Sequence, residues 1–466
     1  MLESSETINS KVEFDSSNIK LNEGFYWAKS QALKYVFTGD TVGDWYEASL
    51  PSRYAFCMRD VAHQSTGAQV LGLYKFNKNM LEKFAQNISE KRDWCSYWEI
   101  NKFDSPAPVD YKSDEDFWYN LPANFDILDC CYRQYQWTGD RDYINSDVFL
   151  NFYERTVEDY IKAWDINNDG IMEHKGPVNY RGIASYMEDC VGTIDNFVGH
   201  DMICAQYAGF MAYATILKLN GDVQKSKIYE EKAENLKDMF NSKWWSDDRQ
   251  SYYGFTCLDG EFYIPKGCDD DFNTASSMPL YFGIAEGSHK IKKALKSVIS
   301  CKGTNVESMS YFPEILYRYG CSDEAYKYLM KLIDPALKRR EYPEVSYAVI
   351  GSIATGMMGI KPDAKNRLVE TTGRLTCDVD WTEIKNLPVL GNEITVKHKG
   401  VYETSFINIT GTPITWRAMF KGKVDTILVN DTEVKAKWET KQDGQTYSYS
   451  GVEVDTNERY TAKINI

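Results

Sequence analysis

A chain of 466 residues exceeds what one compact core holds, so a large body with an accessory domain is expected. With 43% hydrophobic and 26% charged residues and no charge block or compositional tract, it reads as globular, not fibrous or disordered. A net charge of −15 disfavours a nucleic-acid partner, which needs clustered Lys and Arg to displace counterions, and suits a neutral substrate.

Residues 1–24 read as an N-terminal extension, and Met1 to Glu6 show neither a basic nor an apolar signal region. No stretch approaches a membrane span. The eleven cysteines are scattered without CxxC spacing, which predicts reduced thiols and a cytoplasmic location, although a trimmed signal would leave the same sequence.

Residues 25–375 read as the main body, and from about 25 to 360 one pattern repeats, in which amphipathic segments with apolar residues at i, i+3, i+4 and i+7 are separated by aromatic and acidic loops. The spacing predicts helices at 66–86, 123–137, 150–164, 201–219, 224–241, 306–319, 322–333 and 346–358. Segment 201–219 is apolar nearly all round and 224–241 is charged on a broad face, as for an inner helix followed by an outer one. Repeated hairpins of this kind predict a mainly α, closed two-layer toroid with one central pocket. Residues 376–466 change to short alternating runs, 393–398, 404–409, 426–430 and 433–438, which predict a small antiparallel β-sandwich. Residues 362–376 read as an extended connector.

Candidate chemistry follows in chain order. Segment 51–72 concentrates Arg53, Arg59, Asp60, His63 and Gln64 just before an apolar helix; Asp and Arg clamp sugar hydroxyls by charge-assisted hydrogen bonds, and they also form structural pairs. Trp118 and Asn120, in an aromatic and polar run before helix 123–137, suit a sugar platform or the core equally. Asp165 to Glu173 resembles the start of a calcium loop, but Gly176 stands where the closing Glu is needed, so an Asx-rich turn is favoured. Glu188, Asp189, Asp195 and Asp201 fall at the start of the most apolar helix, where burial raises a carboxyl pKa as a general acid requires. A water-activating base must come from another loop: Glu344 stands before helix 346–358, with Glu341 and Glu307 in reserve. The five histidines are dispersed, and no HExxH, GxSxG, P-loop or convincing GxGxxG is present, so no metal or cofactor is expected and carboxylates are the main chemical resource.

From about residue 25 onward the chain resembles the six-hairpin glycosidases, which have an (α/α)6 barrel and include α-L-rhamnosidases, trehalases, processing α-glucosidases and some exo-α-mannosidases. Arg59-Asp60 is similar to an Arg-Asp or Trp-Asp element of these families. The stretch from Glu188 to Asp195-Asn196 resembles a Glu-Ser-Gly-x-Asp segment whose final Asp is the general acid in the trehalase-like branch, which implies Asp195 as the acid, with Glu188 beside it. Glu307 to Phe312, Tyr317 to Gly320, Met358 to Pro362 and Arg374 to Trp381 resemble the rhamnosidase layout, whereas the longer Arg-Asp-Glu-Arg-x-Gly-Trp signature is missing at 59–67. The resemblance implies a glycoside hydrolase. The expected mechanism is exo-acting and inverting: Asp195 protonates the glycosidic oxygen and Glu344 activates water, at a separation of roughly 6.5–9.5 Å. Arg53, Arg59, Asp60, His63, Gln64, Trp118, Asn120 and Glu307 would hold the sugar. A polysaccharide lyase acting on uronates and a non-catalytic sugar-binding protein are the alternatives.

Overall fold

Apolar residues at helical spacing set the architecture from Ile19 to Met357. The computed structural model describes residues 8–174, 181–186, 196–264, 274–302, 305–441 and 443–465. Its helices are α1 (Ile19–Leu33), α2 (Met58–Val70), α3 (Tyr74–Gln86), α4 (Ala123–Thr138), α5 (Asp142–Asn145), α6 (Asp147–Arg155), α7 (Ile161–Trp164), α8 (His200–Leu219) and α9 (Val223–Lys243). They continue with α10 (Thr274–Tyr281), α11 (Ser288–Ser300), α12 (Val306–Met309), α13 (Phe312–Arg318), α14 (Ser322–Leu332) and α15 (Pro343–Gly351), which runs on into a π-helical segment, Ser352–Met357.

Within this body α2 packs on α4, α4 on α8, α8 on α10 and α10 on α13. The π-helical segment packs on α13, and α15 returns to α2. Helices α3, α9, α11, α14 and α1 pack in turn against α2, α8, α10, α13 and α15. Composition follows this layering. Helix α8 is buried on nearly every side, whereas α9 buries Tyr229, Ala233, Leu236 and Phe240, a single stripe at helical spacing. The Asp222 side chain caps α9 by accepting from Lys225 N at 3.0 Å. Helix α8 is long and apolar enough to cross a membrane by length and composition, contrary to the sequence expectation; its place in the core accounts for that composition.

Two sequence boundaries move. The single helix expected at 66–86 is two, because Gly72 adopts φ +87° and turns the chain between α2 and α3. Helix α2 then starts at Met58, so Arg59, Asp60, His63 and Gln64 lie in the helix itself and not before it. The other change is in the β region, which begins at Lys361 and not at 376: Lys361–Asp363 and Leu368–Thr372 pair within the connector.

A five-stranded sheet joins these two strands to Ile414–Lys421, Thr446–Val454 and Lys437–Thr440. The second sheet has seven strands, among them Trp381–Val389, Asn392–Lys399, Glu403–Thr410 and Arg459–Lys463. Phe406 of this sheet stacks on Trp416 of the first, with centroids 5.5 Å apart. One edge strand of the larger sheet is Glu13–Ser16, paired antiparallel with Trp381–Val389, and the other is Thr432–Lys435, so an early strand is bound to the last part of the chain.

Helices α2 and α15 meet backbone to backbone. A Cβ added at Gly67 would stand 2.1 Å from the Tyr347 carbonyl oxygen, so a side chain there forces the helices apart. Gly67→Ala is expected to destabilise the fold by about 3 kcal/mol or more, read as a lowered urea midpoint with an unchanged m-value.

Candidate active site

A cleft of about 440 Å³ opens where the first turns of α2, α12 and α15 meet the loop around Arg53. Arg59 and Asp60 come from α2, Glu307 from α12 and Glu344 from α15. Each acid sits in the first turn of its helix, where the helix dipole favours negative charge. Pro343 sets the start of α15, with Tyr342 extended before it (φ −63°, ψ 136°). Asn305 caps α12 by accepting from Ser308 N at 3.0 Å.

The described lining carries five carboxylates, Asp60, Glu99, Asp110, Glu307 and Glu344, against two cations, Arg53 and Arg59. Arg59 lies between acids, with Nε 3.8 Å from Asp60 Oδ1 and Nη2 3.7 Å from Glu307 Oε2. Glu344 is buried at 6% exposure. Burial, then the charges of Glu307 and Asp60, push its pKa well above the ordinary carboxylate value, and Arg59 and Arg339 only partly offset them. Its proton therefore binds tightly, which is the property of a carboxylate tuned for proton transfer.

Arg53 is held by its loop. Residues Ser52 and Tyr54 on either side adopt φ +68° and +56°, a sparsely populated conformation for non-glycine residues. The buried Glu47 fixes that turn by accepting from Tyr54 N at 2.8 Å. Arg53 Nη2 then reaches Glu99 Oε2 at 2.8 Å and Asp110 Oδ2 at 2.9 Å. Strand pairing puts Glu99 there, since Ala55–Cys57 runs antiparallel to Glu99–Asn101 with Cys57 opposite Glu99. Burial and the neighbouring Asp110 raise Glu99 to about 8 against the attraction of Arg53.

Of the residues singled out from sequence, Arg53, Arg59, Asp60, Gln64, Trp118, Glu307 and Glu344 line this one cleft. His63 lies behind its wall, stacked on Tyr311 at 3.6 Å with Nε2 2.9 Å from Ser310 Oγ; burial pushes its pKa down to about 3, so it is neutral. Asn120 is fully buried and donates from Nδ2 to the Ser185 carbonyl at 3.1 Å. Glu341 is not in the lining; its backbone carbonyl accepts from Gln31 Nε2. Asp195 and Glu188 lie outside the described residues. Asp201, from the same acidic stretch, is fully buried and accepts from Ser185 Oγ and from the backbone N–H groups of Tyr186 and Met202, a structural anchor. The Asp165 carboxylate accepts from Asp169 N and Gly170 N, and Glu173 accepts from Ile166 N, in the pattern of an Asx-type turn that gathers the Asp165, Asp169 and Glu173 carboxylates within 4.8 Å of one another.

Sequence reasoning missed Glu99, Asp110 and Trp98, which share the cleft, and Glu47 and Asp126 near it. Asp126 is buried on α4, accepts from Tyr186 Oη at 3.1 Å and is raised by burial to about 7. The only local signal for Glu99 was an acid closing an aromatic run, Trp94 to Trp98.

Residues 127–339, a little under half of the chain, match the family model described as the bacterial alpha-L-rhamnosidase 6 hairpin glycosidase domain. Among solved structures, the chain is similar to the α-L-rhamnosidase from Dictyoglumus thermophilum, with a TM-score of 0.64 at 15% identity over 98% of this chain and 51% of that one. It is also similar to the native α-L-rhamnosidase from Aspergillus terreus (TM-score 0.61, 13% identity, 97% and 51% covered). A third is the Streptomyces avermitilis α-L-rhamnosidase complexed with L-rhamnose (TM-score 0.59, 13% identity, 97% and 42% covered). The chain thus spans about half the length of the first of these. No curated protein matches it.

Replacing Arg53 by Met leaves Glu99 and Asp110 without their cation. Glu99 is largely protonated at pH 6 and largely ionised at pH 9, given its value of about 8, so the loss is larger at the higher pH. Arg53→Met is expected to lower the thermal midpoint more at pH 9 than at pH 6; equal losses at both would show that Glu99 does not titrate there.

Proposed function

We propose that the chain is a glycoside hydrolase that inverts configuration, with Glu344 as the base that activates water. The observation that carries this reading is the burial of Glu344 in a cleft beside Glu307, Asp60 and Arg59, which raises its proton affinity. A base must hold the proton it takes from water, and a raised pKa strengthens it while leaving enough ionised form above that pKa. The proton donor is Asp195, on the acidic stretch that leads into α8; its assignment rests on the sequence resemblance. Arg53, Arg59, Asp60, Gln64, Trp118 and Glu307 hold the sugar, and His63 and Asn120 support the wall from behind.

The ring of contacts from α2 through α4, α8, α10 and α13 back to α15 supports an (α/α)6 toroid with this cleft at one end. A volume of about 440 Å³ has room for one or two sugar rings. The surplus of carboxylates argues against a uronate in this cleft, and so against the lyase reading. The family match and the rhamnose-complexed neighbour make α-L-rhamnosides the first substrates to try.

A screen of aryl glycosides, with proton NMR of the first product, tests the proposal: the released sugar should appear with inverted anomeric configuration, and retention would refute inversion. Glu344→Gln should lower kcat by about 10³. It should also raise the thermal midpoint at pH 7, because a carboxyl whose folded pKa lies above its unfolded value of 4.5 lowers stability as pH rises past 4.5. Glu307→Gln removes a negative neighbour of Glu344, so the acidic limb of the kcat/KM profile should move to lower pH; an unmoved limb would assign that limb to another group.

A further inference from the structure

A larger cavity, about 720 Å³, lies between the helical body and the β-domain. Its helical wall comes from the last turns of α4, α8 and α13 and from the π-helical segment. Six Lys or Arg and four Asp or Glu line it among the described residues, the reverse of the cleft's balance and of the chain's net charge of −15. Some of these cations are already engaged. Arg318 pairs with Glu314 and Arg133 with Asp129. Lys441 reaches Glu370 Oε2 at 2.8 Å, and Arg417 occupies the other oxygen of that carboxylate at 2.7 Å.

Lys361, Lys365 and Arg374 are left over, and of these Lys361 faces the most crowded acid. It stands directly across the strand pair from Glu370, the acid that would otherwise neutralise it, but Glu370 already holds Arg417 and Lys441. Arg374 donates to the Gly356 carbonyl at 2.7 Å, which satisfies a donor without cancelling its charge. Neither Lys361 nor Arg374 forms an ion pair among the described residues. Lys361 is an exposed residue at the start of its strand; Lys441 and Arg318 repel its ammonium, while Glu370 and Glu439 attract it without pairing with it. Tyr132, Trp137 and Tyr447 supply aromatic surface in the same cavity. Convergent cations with aromatic walls in a concave space of this size fit a small ligand that carries both a sugar ring and an oxyanion.

We propose that this cavity is a second binding site, separate from the cleft, for a small oxyanion-bearing saccharide, anchored through Lys361. Isothermal titration of the full chain with glucuronate, glucose 6-phosphate, glucose and inorganic phosphate tests it. At least one sugar anion should bind tighter than both glucose and inorganic phosphate, and whether it is the carboxylate or the phosphate ester identifies the anion. Affinity should fall at least fivefold in Lys361→Met, return in Lys361→Arg, which keeps the charge, and be unchanged in Glu344→Gln. The proposal is overturned if neither sugar anion binds, if inorganic phosphate binds as tightly as both, if Lys361→Met has no effect, or if Glu344→Gln removes binding, which would place the ligand in the cleft. The site does not depend on the hydrolase reading, so either can fail without the other.

Discussion

The contact of Gly67 with the Tyr347 carbonyl is the constraint on which the cleft depends. Helices α2 and α15 are separated by almost three hundred residues of sequence, yet a single absent Cβ lets their backbones touch. That approach sets the first turns of both helices beside each other and so brings Arg59 and Asp60 to Glu344. Tyr347 is further fixed by packing on Tyr46 at 4.9 Å, which keeps α15 from rotating its acid away. The proton affinity of Glu344 is in this sense a packing result: its burial and its acidic neighbours come from where two helices cross.

Gathering these acids in one cleft has a stability cost. Concentrating Asp60, Glu307, Glu344, Glu99 and Asp110 around two arginines leaves buried acids that are incompletely neutralised. Proteins tolerate such local strain where a reaction needs it and make up the difference in a large core. Here that core is the layered packing of α8, α4 and their neighbours, with aromatic side chains such as Tyr143, Tyr153 and Tyr160 fully buried. The first turns of α2, α12 and α15 carry Asp60, Glu307 and Glu344, as the macrodipole favours, whereas most cations of the larger cavity, Lys361, Lys365, Arg374 and Lys441, come from the β region.

Sequence alone made the helical body and the later strands legible, and it picked out several residues that line one cleft. Helical periodicity is local, so inner α8 and outer α9 were legible as such, and alternating runs located strands such as 392–399 and 403–410 to within a residue or two. Helix starts were equally informative: Arg59, Asp60, Glu307 and Glu344 stood out because polar residues at the beginning of apolar helices face a pocket when those helices converge.

Tertiary structure decided what depends on partners distant in the chain. Glu99 joined the site through a strand pairing with Cys57 that no local pattern encodes, and His63 and Asn120 were set behind the wall by Tyr311 and by the Ser185 carbonyl. The N-terminal strand Glu13–Ser16 found its partner at Thr382 to Lys385, at the other end of the sequence. Proton affinities belong to the same category, because burial and neighbouring charge are properties of assembled space: side-chain type made Glu344 an acid, and only the crossing of α2 and α15 made it one that holds its proton.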